Sequence, residues 1–134
     1  MIAIASDHAG RELRLTLLKE DILDLGEDED YPRIATKMAQ WVTQDENRSG
    51  ILICGSGIGM SIAANRILGI RAACVENPLA AKIAKEHNGA NILCLGARFV
   101  APFYAQVILD AWRAAWPSMD ERHVRRRMQL DERV

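Results

Sequence analysis

Short apolar runs rich in β-branched residues alternate along this chain with longer segments whose apolar residues recur at helical spacing. The short runs predict five strands, at residues 2–5, 22–25, 50–54, 70–75 and 91–95. The longer segments predict six helices, at residues 10–20, 32–46, 58–66, 78–87, 100–115 and 118–130. Strands that alternate with helices of this length form βαβ units, so the pattern predicts a parallel sheet covered by helices.

Five such strands predict an α/β fold, a Rossmann-like three-layer sandwich with a five-stranded parallel sheet. The chain has 134 residues, a length typical of one compact domain. It contains no internal repeat, low-complexity stretch or linker. We therefore expect a single domain over residues 1–134, with a basic C-terminal helix over 118–130.

The charge balance and the hydropathy pattern bear on location and partners. The formal net charge is -1, which gives no general attraction to nucleic acid or to anionic membranes. No apolar run reaches the roughly 20 residues that cross a bilayer. The first residues lack the basic and apolar regions of a secretory signal. We expect a cytoplasmic protein that binds neither nucleic acid nor membrane.

Ligands of open parallel sheets bind at the carboxyl ends of the strands, so the residues that follow each predicted strand are candidates. Asp7 and His8 follow the first strand, and Arg98 follows the fifth, while His87 and Asn88 come just before the fifth. A lone histidine is more often structural or exposed than catalytic. Imidazole nevertheless titrates near neutrality and suits proton transfer.

The strongest local signal is the segment ILICGSGIG at residues 51–59. A buried strand runs here into a glycine-rich turn that opens a helix, where free N–H groups and the helix dipole attract negative charge. A tight strand–helix turn alone would also explain the glycines. Nucleotide binding is disfavoured, because the first strand is followed by SDHAG rather than by G-x-G-x-x-G, and G-x-x-x-x-G-K-[ST] is absent.

The chain has three cysteines, Cys54, Cys74 and Cys94, and they form no C-x-x-C pair. A zinc site or a dithiol redox site is therefore not expected. Each cysteine follows an apolar run and is explained as a small buried residue. Cys54 differs because it stands directly before the glycine-rich turn. The start of a helix favours a thiolate, which could act as a base or as a nucleophile.

The C-terminal segment concentrates positive charge at Arg122, His123, Arg125, Arg126 and Arg127. On a helix, Arg122 and Arg126 are four residues apart and share a face. Two guanidinium groups on one face suit a phosphate dianion. The alternative is a solvated helix end, where cations suit the helix dipole.

Together these motifs resemble those of the type B ribose-5-phosphate isomerases and the related galactose-6-phosphate isomerases. The matching segments cover nearly the whole chain in the same order: IAIASDHAG at 2–10, DYP at 30–32, GILICGSGIGMSIAANRILGIRAA at 50–73, EHNGANILCLGAR at 86–98 and ERH with a later arginine at 121–126. The resemblance implies reversible aldose–ketose conversion of a sugar phosphate without a metal or an organic cofactor.

The resemblance also implies a role for each matching residue. Cys54 matches the catalytic base that moves a proton between C1 and C2; some members carry a glutamate where Met60 stands. Ser56 matches a proton-relaying hydroxyl, His87 the residue that opens the sugar ring, and Asp7 a substrate contact that we place in the catalytic set. The implied binding residues are His8, Tyr31, Gly55, Gly57, Ile58, Gly59, Asn88, Arg98, Arg122, His123 and Arg126. In the family two chains share each pocket, which implies a homodimer and leaves a tetramer open.

Two departures from the family pattern bear on the substrate. Ser6 stands where family members often have cysteine, and the loop at residues 26–30 looks short, which can reshape the pocket wall. We expect conversion of D-ribose 5-phosphate to D-ribulose 5-phosphate. Another sugar phosphate of four to six carbons stays open, as does a non-catalytic sugar-phosphate binding module on the same fold.

Overall fold

A parallel five-stranded sheet forms the middle layer of the protein. The computed structural model describes residues 1–132. In chain order the elements are β1 (Ile2–Ser6), α1 (Arg11–Leu17), β2 (Ile22–Glu27), α2 (Tyr31–Val42), β3 (Ser49–Cys54), α3 (Ile58–Ala64), β4 (Ala72–Cys74), α4 (Pro78–Glu86), β5 (Ile92–Gly96), α5 (Pro102–Ala114) and α6 (Glu121–Leu130). The strand order is β2-β1-β3-β5-β4, and every pairing is parallel.

Helices cover both faces of this sheet. On one face α2 and α3 pack on the strands through residues such as Met38, Leu52 and Met60. On the other face α1, α4 and α5 form a second apolar cluster that includes Leu17 and Trp112. The central strands β3 and β5 are buried on both faces, which explains their unbroken apolar runs. The predicted three-layer α/β sandwich is confirmed.

The edge strand β4 is half as long as predicted, three residues instead of six. Side chains bond the backbone at the start of this strand, and the one that takes a group facing β5 is that of Asn91, at Arg71. The Asn65 carboxamide accepts from the Ala72 N–H at 2.7 Å and donates to the Ala72 carbonyl at 2.9 Å. The Arg71 N–H donates to the Asn91 side chain at 2.8 Å. Asn65 thus covers an edge that would otherwise be open to pairing.

All six helices are shorter than predicted, and α1, α2 and α6 each differ by three or more residues at one end. α1 ends at Leu17 and α2 at Val42, where the prediction ran to residues 20 and 46. Beyond α2, the Asp45 carboxylate accepts from the Asn47 N–H at 2.8 Å, a local bond that competes with helix continuation. α6 begins at Glu121 rather than at 118. The side chain of Asp120 caps it, accepting from the Arg122 N–H at 3.2 Å.

The sheet order reverses between β1 and β3, which places a crevice at the carboxyl ends of these two strands. The Asp7 N–H donates to the Ile53 carbonyl at 3.2 Å and joins the two strand ends. The crevice therefore lies between the Asp7–His8 segment and the glycine-rich turn. Among residues 1–132, no helix has the length and apolar character that a membrane span requires.

Candidate active site

The Cys54 side chain lies at the carboxyl end of β3 and is 4% exposed. The N–H of Gly57 donates to its Sγ at 3.1 Å. An N–H that points at sulfur interacts more strongly with a thiolate than with a thiol. The geometry therefore suits a sulfur that carries negative charge during a reaction.

The other two cysteines have different surroundings. Burial raises the pKa of the Cys74 thiol, and the nearby Cys54 and Glu76 raise it further. Cys94 is fully buried, and burial raises its pKa well above the usual value. Cys74 Sγ donates to the Ser56 carbonyl at 3.6 Å. The surroundings of both thiols therefore disfavour the thiolate.

The glycine-rich turn takes its shape from Gly57, whose φ is +76°. A Cβ at this position would also lie 2.9 Å from the Leu95 carbonyl carbon, so only glycine fits. α3 begins directly afterwards, and the Ile58 N–H donates to Ser56 Oγ at 3.2 Å. Because this hydroxyl oxygen accepts from the backbone, its own hydrogen stays available for donation.

Two side chains flank this turn. The Arg98 guanidinium, which follows β5, lies so close to Gly55 that an added Cβ would be 3.1 Å from its Cζ. The Tyr31 ring, at the start of α2, lies against Gly59, where a Cβ would be 2.5 Å from Cε2. Both Arg98 and Tyr31 are exposed. The glycines thus let a cation and a phenol approach the backbone beside Cys54.

The Asp7–His8 segment forms the opposite wall of the crevice. Asp7 is 6% exposed, and its Oδ1 accepts from the Gly10 N–H at 3.1 Å. A Cβ on Gly10 would lie 2.4 Å from the Ile53 carbonyl oxygen, so this segment packs tightly on the end of β3. His8 is exposed. One Asp7 oxygen therefore shapes the turn, and the His8 imidazole is accessible.

An arginine that the sequence reasoning missed supports this wall. Arg14 is 7% exposed; its Nε donates to Ser6 Oγ at 2.9 Å and its Nη1 to the Asp24 carboxylate at 2.7 and 2.6 Å. Glu27 accepts from Arg11 and, at 3.2 Å, from Arg14, and the hydrogen bond from Arg11 is the main reason that its pKa falls to about 2. The sequence signal that could have identified Arg14 is its position on α1 between Leu13 and Leu17, two apolar residues that are both buried.

A second cluster contains His87 and the basic helix. The His87 ring stacks on the His123 ring, with centroids 4.2 Å apart and planes at 12°. Burial lowers the pKa of His123, and repulsion from His87, Arg122 and Arg126 lowers it further. Arg122 and Arg126 are exposed on α6, and Arg122 Nε lies 3.5 Å from the Asp120 carboxylate.

The two clusters lie at opposite edges of the sheet within one chain. The Asn91 N–H donates to the Arg71 carbonyl at 3.0 Å, and the Gly50 N–H donates to the Asn91 carbonyl at 2.9 Å, so residues 87–91 lie at the amino ends of the strands. A strand as long as β5 spans about 15 Å. The carboxyl edge holds Asp7, His8, Tyr31, Cys54, Gly55, Ser56, Gly57, Ile58, Gly59 and Arg98; the amino edge and α6 hold His87, Asn88, Arg122, His123 and Arg126.

A metal ion has no evident ligand set in the described part of the chain. Among residues 1–132, no group of three or more His, Cys, Asp or Glu side chains is arranged to hold one. Near Cys54 the polar groups are instead a thiol, a hydroxyl, backbone N–H groups and a guanidinium. Such a set can accept a proton and stabilise an oxyanion.

Comparisons with known proteins identify the family of this chain. Residues 2–130 match the model of the ribose/galactose isomerase family. Ribose-5-phosphate isomerase B of Escherichia coli is 39% identical over 124 residues, 85% of this chain and 83% of that protein. D-erythrulose-4-phosphate isomerase of Pectobacterium atrosepticum is 37% identical over 122 residues, 83% of this chain and 80% of that protein.

The fold is also that of solved members. The structure of ribose-5-phosphate isomerase B from Mycoplasma genitalium with bound ribulose-5-phosphate superposes with a TM-score of 0.91 at 36% identity, over 97% of this chain and 93% of that chain. The enzyme from Thermotoga maritima superposes with a TM-score of 0.89 at 42% identity, over 98% and 97% of the two chains. The chain belongs to the ribose/galactose isomerase family and is an aldose–ketose isomerase.

Proposed function

We propose that this chain interconverts D-ribose 5-phosphate and D-ribulose 5-phosphate, with the sulfur of Cys54 as the base. The observation that carries the proposal is the position of Cys54 Sγ, which accepts the Gly57 N–H at 3.1 Å at the crevice where the sheet order reverses. The Arg98 guanidinium beside the turn supplies a cation for the phosphate or the developing charge. The named activities of the relatives support the same substrate class.

The reaction needs one base and a site for an oxyanion. Cys54 as thiolate removes the C2 proton of the open-chain aldose and returns it to C1, passing through an enediolate. Negative charge then moves onto the sugar oxygens, where the N–H groups of the glycine-rich turn can stabilise it; one such donor can be worth about 3 kcal/mol. The Ser56 hydroxyl, free to donate, carries a proton between O1 and O2.

A second copy of the chain completes the pocket in this proposal. Within one chain, His87 and the basic helix lie at the amino edge of the sheet and Cys54 at the carboxyl edge, separated by the length of a strand, about 15 Å, which is more than one sugar spans. The β4 edge carries an exposed apolar face made of Ile58 and Ile62 on α3 and Leu79 and Ile83 on α4.

A twofold axis beside this face would bring the amino-edge cluster of one chain to the carboxyl edge of the other, because α3 begins at one edge and α4 ends at the other. His87 of the partner subunit then opens the sugar ring by moving a proton at the ring oxygen. Arg122 and Arg126 grip the phosphate together with Arg98, which supplies remote binding energy for positioning.

The test is steady-state turnover by the purified protein on phosphorylated aldoses of four, five and six carbons. We expect the highest kcat/KM for ribose 5-phosphate. Higher turnover of another sugar phosphate would show that ribose 5-phosphate is not the preferred substrate. The short loop at residues 26–30 is the reason for testing the other sugars. Binding of all these sugars without turnover would contradict the isomerase proposal and favour a binding module.

The role of Cys54 is tested by Cys54→Ala with Cys74→Ala as the matched control. Both thiols lie on the same face of the sheet near the turn, but only Cys54 accepts the Gly57 N–H. Loss of a general base lowers kcat by about 10²–10⁴-fold, so we expect that loss in Cys54→Ala and a change within about twofold in Cys74→Ala. Full activity of Cys54→Ala would rule out the sulfur as base.

A further inference from the structure

A second cavity opens at the amino edge of the sheet, away from Cys54. Its volume is about 670 Å³, and its walls come from the end of α2, the starts of β3 and β5, the segment before β4 and the chain after α5. Small-molecule sites in proteins have volumes of about 300–1,000 Å³. None of the residues to which the isomerase proposal gives a role lines it.

The cavity wall is rich in cations. Arg48, Arg71, Lys85 and Arg113 line it, against the two carboxylates of Asp45 and Glu46. Arg71 pairs with Asp131 and Arg113 with Asp21, so among residues 1–132 the lining cations without a carboxylate partner are Arg48 and Lys85, and these favour an anionic ligand.

The three arginines are held in place by bonds that leave donors free. Arg71 Nη1 donates to Asp131 at 2.9 Å, Arg48 Nη1 donates to the Trp41 carbonyl at 3.0 Å, and Arg113 pairs with Asp21 through Nη2. A guanidinium has five N–H donors, so each arginine keeps further donors for a ligand. Side chains fixed in advance lose little conformational entropy on binding.

Lys85 is the cation that most lacks a partner. Its Nζ lies 4.0 Å from the ring centroid of Trp112, and within residues 1–132 it makes no hydrogen bond or ion pair. Lys82, one turn earlier on α4, instead faces Glu86 at 3.8 Å. The Lys85 side chain is half-buried, and burial lowers its pKa. An ammonium removed from water gains more from an incoming anion than a solvated one does.

The rim of the cavity adds an apolar surface. Trp116 is 82% exposed there, beside Pro117 and the exposed Leu68. A flat aromatic side chain next to cations binds a ligand that carries both an apolar part and a charge. We propose that this cavity, which we name the amino-edge cavity, binds a small organic anion, a phosphate or carboxylate next to an apolar or aromatic group. Lys85, Arg71 and Arg113 contact the anion, and Trp116 contacts the apolar part.

The test is calorimetric titration of the full chain with phenyl phosphate, a probe that combines both parts. Loss of a charge-assisted contact weakens binding by about tenfold or more, so we expect this in Lys85→Met, which keeps the apolar stem over Trp112. Lys82→Met, the matched charge change on the same helix, should bind within about twofold of the unchanged chain. Arg98→Ala, which removes a cation at the carboxyl edge, should also leave this affinity unchanged.

Further titrations measure the contributions of the apolar part and the anionic part of the ligand separately. Trp116→Ala should weaken phenyl phosphate but leave inorganic phosphate unchanged, and phenol should not bind. Melting temperatures of the variants check that the fold is kept; if Lys85→Met fails to fold, Arg113→Gln takes its place with the same expected loss. Equal affinity in Lys85→Met and Lys82→Met, or loss of binding in Arg98→Ala alone, would overturn the proposal.

Discussion

At the scale of single residues, the chemistry around Cys54 depends on glycines. Gly57 combines a left-handed backbone with a contact that excludes any side chain, and its N–H is the group that faces Sγ. Gly55 and Gly59 instead make room for the Arg98 guanidinium and the Tyr31 ring. Gly57 thus determines the backbone conformation of the turn, whereas Gly55 and Gly59 leave space for neighbouring side chains.

Substitution at two of these glycines separates the two effects. In Gly57→Ala the strained φ and the 2.9 Å approach to Leu95 should lower the free energy of unfolding by about 1–3 kcal/mol, and kcat should fall because the N–H moves away from sulfur. In Gly59→Ala the new Cβ meets an exposed tyrosine ring that can move aside, so we expect a smaller loss of stability and mainly a higher KM.

Urea unfolding and steady-state kinetics of the two variants check this prediction. Equal losses of stability in Gly57→Ala and Gly59→Ala would show that the left-handed conformation has no special cost. An unchanged kcat in Gly57→Ala would contradict the link between this N–H and Cys54.

At the scale of elements, a set of ion pairs fastens α1 to β2 beneath the crevice. Arg14 bonds Ser6 on β1 and both Asp24 and Glu27 on β2, while Arg11 bonds Glu27 from the first turn of α1. These bonds keep the loop at residues 26–30 close to the Asp7–His8 segment. The Asp28 N–H also donates to the Ser6 carbonyl at 3.2 Å, which holds this loop against the end of β1.

The pKa of Glu27 gives a pH prediction for this set. Its carboxyl has a pKa of about 2 in the folded chain against a usual 4.5, so the unfolded chain binds more protons between these values. The stability that this carboxylate contributes is present above pH 4.5 and lost as the pH falls towards 2. We expect Glu27→Gln to show a flatter fall of the free energy of unfolding in this window than the unchanged chain.

Urea unfolding between pH 2 and pH 6 measures the effect. Glu29→Gln, an exposed glutamate in the same loop for which the structure of residues 1–132 shows no ion pair, is the matched control. It should follow the unchanged chain at every pH. A Glu27→Gln curve parallel to that of the unchanged chain would contradict the lowered pKa.

At the scale of the whole molecule, the Cys54 cluster and the His87 cluster lie at opposite edges of the sheet. The proposal that two chains share each pocket can therefore be tested by mixing variants of the two clusters. Cys54→Ala and His87→Ala should each be inactive alone. In a mixed dimer one pocket carries both substitutions and the other carries neither. Random exchange of subunits makes half the dimers mixed, so the mixture should recover about a quarter of the activity of the unchanged chain.

The control mixture is Cys54→Ala with Ser56→Ala. These two residues lie in the same turn, so each pocket of every dimer carries one substitution and no activity should return. Subunit exchange is verified by native mass spectrometry. Recovery in the control, or none in the first mixture after complete exchange, would contradict a pocket built from two chains.

The sequence predicted the order and type of every element, because the apolar spacing of strands and helices reports local burial. It did not predict where several of them end. β4 begins only at Ala72 because the carboxamide of Asn91 takes the Arg71 N–H, and α2 stops early where Asp45 bonds the backbone of Asn47. Such bonds depend on side chains brought together by folding or on local competition that a periodic pattern does not contain.

By itself the sequence also determined the Cys54 turn, because strand, glycines and helix are consecutive and their geometry is local. Only the tertiary structure decided that His123 on the basic helix stacks on His87, that Arg14 is buried, and that cations line a cavity at the amino edge. The physical reason is the parallel sheet: residues before a strand and residues after it lie at opposite edges, and packing alone fixes which side chains meet there.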